Sequence, residues 1–127
     1  MAMVIIILMT MIMAPAQAGA PLKNCTTSQI RQARSKARNP ETRLRVLINN
    51  GQWRKAAALA RNRTFHARDG NPKLKKALSA TNFAMWQIYY ASRDKSPEMA
   101  KAWFWVYRDE SRRAWRLAQR CHSWVPE

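Results

Sequence analysis

Covalent or acid–base chemistry in this chain would draw first on its two cysteines, two histidines and seven carboxylates. His66 and His122 stand alone and far apart, so neither has an imidazole partner close in sequence. The H-E-x-x-H pair of a zinc protease, the glycine-rich phosphate loop and the G-x-S-x-G nucleophile turn do not occur. Cys25 and Cys121 with two distant histidines lack the spacing of a zinc site. The expectation is a chain with no catalytic residue, no metal and no small-molecule cofactor: not an enzyme.

The cysteines then read as a disulfide. In an oxidising compartment an even count pairs, and two cysteines permit one intramolecular bond, Cys25–Cys121. That assignment depends on export, and the first eighteen residues supply the argument for it. Val4 to Met13 is apolar apart from Thr10, and Ala16-Gln17-Ala18 follows as a small-x-small site. The apolar run falls short of the roughly 20 residues of a membrane span and suits the core of a signal peptide. Cleavage is expected after Ala18, leaving residues 19–127 as a single helical domain. No Lys or Arg precedes the apolar run, so retention as an uncleaved anchor is the rival reading. Leu22, Lys23 and Asn24 ahead of Cys25 are too large for a lipidation site. The localisation expected is periplasmic or secreted.

All 23 Lys and Arg lie after residue 18, so the formal charge of +16 belongs to the mature chain. Charge of one sign opposes compaction and favours acidic partners. Two runs stand out. Arg31, Arg34, Lys36 and Arg38 occur with no acid between Thr26 and Pro40, and Arg43 and Arg45 extend the run past Glu41. This stretch has a thin apolar side (Ile30, Ala33, Ala37) and is the candidate anion-binding element. Arg108, Arg112, Arg113, Arg116 and Arg120 form a secondary stripe near the other end, where Asp109 is placed to pair with Arg112 or Arg113. Fifteen of the 23 cations are Arg, whose planar fork suits phosphate and carboxylate.

The elements that position these residues are helical. Thr26 with Gln29 fits a capping box and starts a helix to about Arg38. Asn39-Pro40-Glu41 starts a second, which Asn50-Gly51 stops near Asn49. A third covers about Gln52 to Asn62 and places Trp53, Ala56, Ala57 and Ala60 on one face. Thr64 to Asn71 is a loop with Asp69-Gly70 as its turn. Asn71-Pro72 opens a long helix to about Ser92, striped by Leu74, Leu78, Met85, Ile88 and Tyr89. Ser96-Pro97-Glu98 opens the last, to about Cys121, with Trp103, Tyr107, Ala114, Leu117, Ala118 and Cys121 inward. Nothing reads as a strand. The fold class expected is all-α: a small bundle of about five helices, or stacked helical hairpins, closed by one disulfide.

Two resemblances arise. Gly51-x-Trp53-x-x-Ala56 is similar to the turn of a tetratricopeptide hairpin, but the later hairpin does not repeat the spacing, and no function follows from it. Glu110-Ser111 is similar to the glutamate-serine pair of wall-cleaving, lysozyme-like enzymes, which implies a general acid. The match is two residues long, and Glu110 stands among arginines.

The function these residues point to is an exported basic binding or adaptor protein. Its partner would be acidic: a protein, an envelope polymer or nucleic acid. An accessory factor of an envelope export or transfer machine fits that description. The alternatives are a membrane-active toxin or killing factor acting on an anionic membrane surface, and an inhibitor or immunity-type protein. Trp105 and Trp115 lie off the inward stripe and are expected to make helix contacts rather than a ligand platform.

Overall fold

The computed structural model describes residues 21–36, 39–64 and 69–121, with the side chains of Lys36 and Asn39 excepted. Five helices lie within these residues: α1 (Thr27–Lys36), α2 (Asn39–Asn49), α3 (Trp53–Asn62), α4 (Pro72–Arg93) and α5 (Pro97–Gln119). The expected leader, residues 1–18, lies outside the described residues. Extended pairing among the described residues is confined to one isolated parallel bridge, Leu22 with Cys121. The chain is a small all-α bundle closed by one disulfide, Cys25–Cys121, with Cα atoms 5.9 Å apart.

Most helix boundaries follow from local hydrogen-bonding chemistry. At the start of α1, the Thr26 N–H donates to Gln29 Oε1 (3.1 Å) and the Gln29 N–H donates to Thr26 Oγ1 (3.0 Å). Both are orphan donors of a helix start, and the reciprocal pair satisfies them. At the end of α2, Gly51 adopts φ +67°. The Gln52 N–H then reaches the Leu47 carbonyl (2.9 Å) and the Gly51 N–H the Ile48 carbonyl (3.1 Å). This left-handed cap turns the chain back into α3. The same geometry ends α4, but there Lys95 takes the left-handed position at φ +54°. Its backbone places the Ser96 N–H on the Ala91 carbonyl (2.9 Å).

The core runs the length of the α4–α5 hairpin and has two halves. Near the 94–96 turn, Leu44 and Ile48 of α2 and Ala56 and Ala60 of α3 pack on Met85, Ile88, Phe104 and Tyr107. Alanines on α3 let that helix approach α4 closely, at the expense of apolar area per residue. In the other half Leu22 and Ala33 pack on Leu74, Ala77, Leu78, Ala114 and Ala118, beside Cys121. The inward arc of α5 is centred on Phe104, Tyr107, Ser111, Ala114 and Ala118. Trp103 and Leu117, expected inside, lie half-buried at its edges. Adjacent residues on a helix differ by about 100°, so centring the arc on Phe104 moves Trp103 to the flank.

The N-terminal pole is fastened by a polar latch. Gln29 is buried, and its Oε1 also accepts from the Asn71 N–H (3.1 Å) while its Nε2 donates to the Asn71 carbonyl (3.2 Å). Asn71 Oδ1 caps α4 by accepting from the N–H groups of Lys73 (2.9 Å) and Leu74 (3.1 Å). Asn71 Nδ2 donates to the Lys23 carbonyl (2.8 Å). One glutamine and one asparagine thus tie the first residues, α1 and the start of α4 together. The Leu22 N–H to Arg120 carbonyl bond (2.8 Å) and the disulfide add the end of α5.

Candidate anion-binding surface

Helix α2 carries the two most informative cations. Arg43 and Arg45 are two residues apart, roughly 200° around a helix, so they serve opposite flanks. Arg43 lines an open groove against α3, together with Leu47, Lys55, Ala58, Leu59, Asn62 and Arg63. The groove encloses about 360 Å³; Leu47, Ala58 and Leu59 give it apolar lining, Arg43, Lys55 and Arg63 line it with cations, and among the described residues no carboxylate lines it. Arg45 lines a smaller cleft against α5, of about 160 Å³, with Ile48, Asn49, Lys101, Phe104 and Trp105. Among the described residues no carboxylate lines that cleft either.

The nearest acid on α2 is already taken. Glu41 accepts two hydrogen bonds from Arg112, from Nε (3.1 Å) and Nη2 (3.0 Å). This forked pair ties the first turn of α2 to α5. It raises the pKa of Arg112, chiefly through the hydrogen bond to Glu41 and then through its charge. Beneath it Tyr107 is buried. Burial pushes the pKa of its hydroxyl well above the ordinary 10.0 and the Glu41 charge pushes the same way, against smaller opposing effects of Arg63 and Ser111.

The expected site residues therefore divide. Arg43 and Arg45 sit at the two clefts. Arg31 and Arg34 are exposed on α1, while Arg38 and the side chain of Lys36 lie outside the described residues. The structure shows no single surface made by all six. In the secondary stripe, Arg112 is held by Glu41 rather than by Asp109. Asp109 lies 3.5 Å from Arg108, and Arg113 lies 3.8 Å from Glu110. The expected pairing of Asp109 with Arg112 or Arg113 is thus replaced, because the bidentate contact across helices outcompetes a single-helix pair. Arg116 is exposed, and Arg120 is half-buried beside the disulfide.

Several contributors were not legible in the sequence. Lys55, Arg63 and Lys101 reach the clefts only because α3 and α5 flank α2. Trp115 packs on the core as expected, whereas Trp105 does not become a buried helix contact. It remains 49% exposed, with the Arg108 guanidinium 4.6 Å from its ring centroid. Among the described residues no three His, Cys, Asp or Glu side chains converge as metal ligands. His66 and His122 lie outside the described residues.

Comparison of the chain with protein-family models, with curated proteins and with solved structures finds no significant match.

Proposed function

We propose that this chain is an exported basic binding or adaptor protein that presents a cationic surface, centred on α2, to an acidic macromolecule of the cell envelope or to an acidic protein partner. The observation that carries the reading is the α2–α3 groove. Arg43, Lys55 and Arg63 share it, and among the described residues no carboxylate lines it. Cations gathered along one groove repel one another, and an anion bound there relieves that repulsion. The leader argument from Val4–Ala18 and the disulfide support export. The proposal assigns the chain no reaction and no cofactor.

The test compares two charge-matched triple variants of the mature, oxidised protein on immobilised heparin. Arg43→Gln/Lys55→Gln/Arg63→Gln removes the groove cations. Lys73→Gln/Lys75→Gln/Lys76→Gln removes three exposed cations of α4. The groove variant should elute at distinctly lower salt than the α4 variant, both keeping the helical circular-dichroism spectrum. Equal elution of the two would refute a built site. Export is tested by sequencing the N-terminus of the exported protein, expected to begin at Gly19; an intact Met1 would remove the cleaved leader.

A second reading, attack on anionic bilayers, draws on one observation. Phe83 and Tyr90 are 55% and 48% exposed on α4, with Trp86 stacked on Tyr90 between them. Dye leakage from anionic vesicles would support that reading, and intact vesicles would exclude it.

A further inference from the structure

The α2–α5 cleft differs from the groove in one respect: it has an indole in its wall. Large apolar side chains that stay exposed in a folded domain mark interaction sites when they are grouped with specific polar chemistry. Trp105 is such a residue. Its ring is held from two sides, by Arg108 at 4.6 Å over the ring and by Phe104 edge-on, with ring centroids 5.5 Å apart. Phe104 is itself 4% exposed, so the contact beneath the indole is anchored in the core. Arg45 of α2 and Lys101 of α5 stand at the same cleft, and Asn49 adds an amide. The result is a pre-oriented aromatic ring among three cations.

We infer that this cleft binds single-stranded nucleic acid, with one base stacked on Trp105 and the adjoining phosphates held by Arg45 and Lys101. The inference rests on the anion-binding reading above and names, for this second cleft, nucleic acid as the acidic polymer. An acidic peptide would satisfy the cations and leave the indole in water. A neutral sugar would cover the indole and leave the cations unpaired. An intact duplex presents phosphates but keeps its bases stacked inside. A single strand offers one phosphate and one free base face in every nucleotide, which is the combination this cleft can take. The stacking requires no particular base, because every base has a π-face.

The test uses the mature, oxidised protein and two fluorescently labelled oligomers of equal charge: an oligothymidylate of about 12 nucleotides, the upper range for one small binding site, and its fully abasic counterpart. Binding is followed by anisotropy at low salt. The oligothymidylate should bind about tenfold more tightly than the abasic strand, since stacking one base is a contribution of that order. Trp105→Ala should bring the two affinities together. Trp105→Phe, which keeps an aromatic face and a similar fold, should retain most of the difference. Equal affinities for both oligomers in the wild-type protein would overturn the stacking site while leaving anion binding intact. Binding to neither oligomer, with heparin also unbound, would overturn both readings. A preference for the oligothymidylate that survives Trp105→Ala would also overturn the inference, because the base would then be read elsewhere.

Discussion

Gly70→Ala should be among the most damaging single-methyl changes in this protein. Gly70 precedes the α4 cap and adopts φ +112°, a backbone region costly for any residue with a Cβ. An added Cβ would also overlap the Gln29 carboxamide, which is buried. The backbone alone should cost about 1–3 kcal/mol. Displacing Gln29 breaks its contacts with the Thr26 N–H and with both backbone groups of Asn71. Leaving those groups unpaired adds about 1–3 kcal/mol. The sum is about 2–6 kcal/mol, enough to lower Tm by about 8 °C or more in a domain of this size. The assay is urea unfolding followed by circular dichroism, on oxidised protein, in a double-mutant cycle with Gln29→Ala. Once the carboxamide is gone, only the backbone cost of Gly70→Ala remains, so the two changes should couple by about 2 kcal/mol. An equal cost of Gly70→Ala in both backgrounds would refute the latch.

Three other outcomes follow from the same structure. Removing the disulfide with Cys25→Ser/Cys121→Ser frees a pair 96 residues apart. On the chain-entropy account this should lower stability by about 4–5 kcal/mol, read as a shift in urea midpoint, and a shift under a quarter of that would contradict it. Lys95→Gly should stabilise by about 0.5–1 kcal/mol, since Lys95 occupies a left-handed cap at φ +54° that glycine adopts freely; calorimetry showing a loss of Tm would contradict it. Tyr107 has its folded pKa raised above 10.0, mainly by burial. Above pH 10 the unfolded state therefore releases this proton before the folded state does, and stability falls as pH rises. Tyr107→Phe should flatten that alkaline decline in urea midpoints, and an unchanged slope would contradict the assignment.

What the sequence disclosed was whatever is decided within a few residues. The Thr26–Gln29 box, the Gly51 stop and the Asn71-Pro72 start all appear as read, because a cap satisfies donors or acceptors in its own first or last turn. The Cys25–Cys121 bond was accessible because two cysteines leave one pairing. The last turn of α4 shows the limit. Its left-handed residue is Lys95, which carries no composition signal for a cap. The polar latch was equally hidden: Gln29 meets Asn71 across 42 residues, and nothing local marks either as buried. The candidate site failed to show for the same reason. Arg43 and Arg45 looked like one cationic run, but the helical turn sends them to two clefts, and Lys55, Arg63, Lys101 and Trp105 join only through tertiary packing. Likewise Arg112 finds Glu41 at a separation of 71 residues, in place of the nearby Asp109.

A cationic surface on α2 that binds an acidic polymer must do so in a salt-dependent way. The most direct measurement is the affinity of the mature, oxidised protein for heparin across a series of salt concentrations. Log Kd should rise linearly and steeply with log salt concentration, and the slope should become shallower when Arg43, Lys55 and Arg63 are replaced by Gln. An affinity unchanged by salt, or a slope unaffected by losing those three cations, would contradict it.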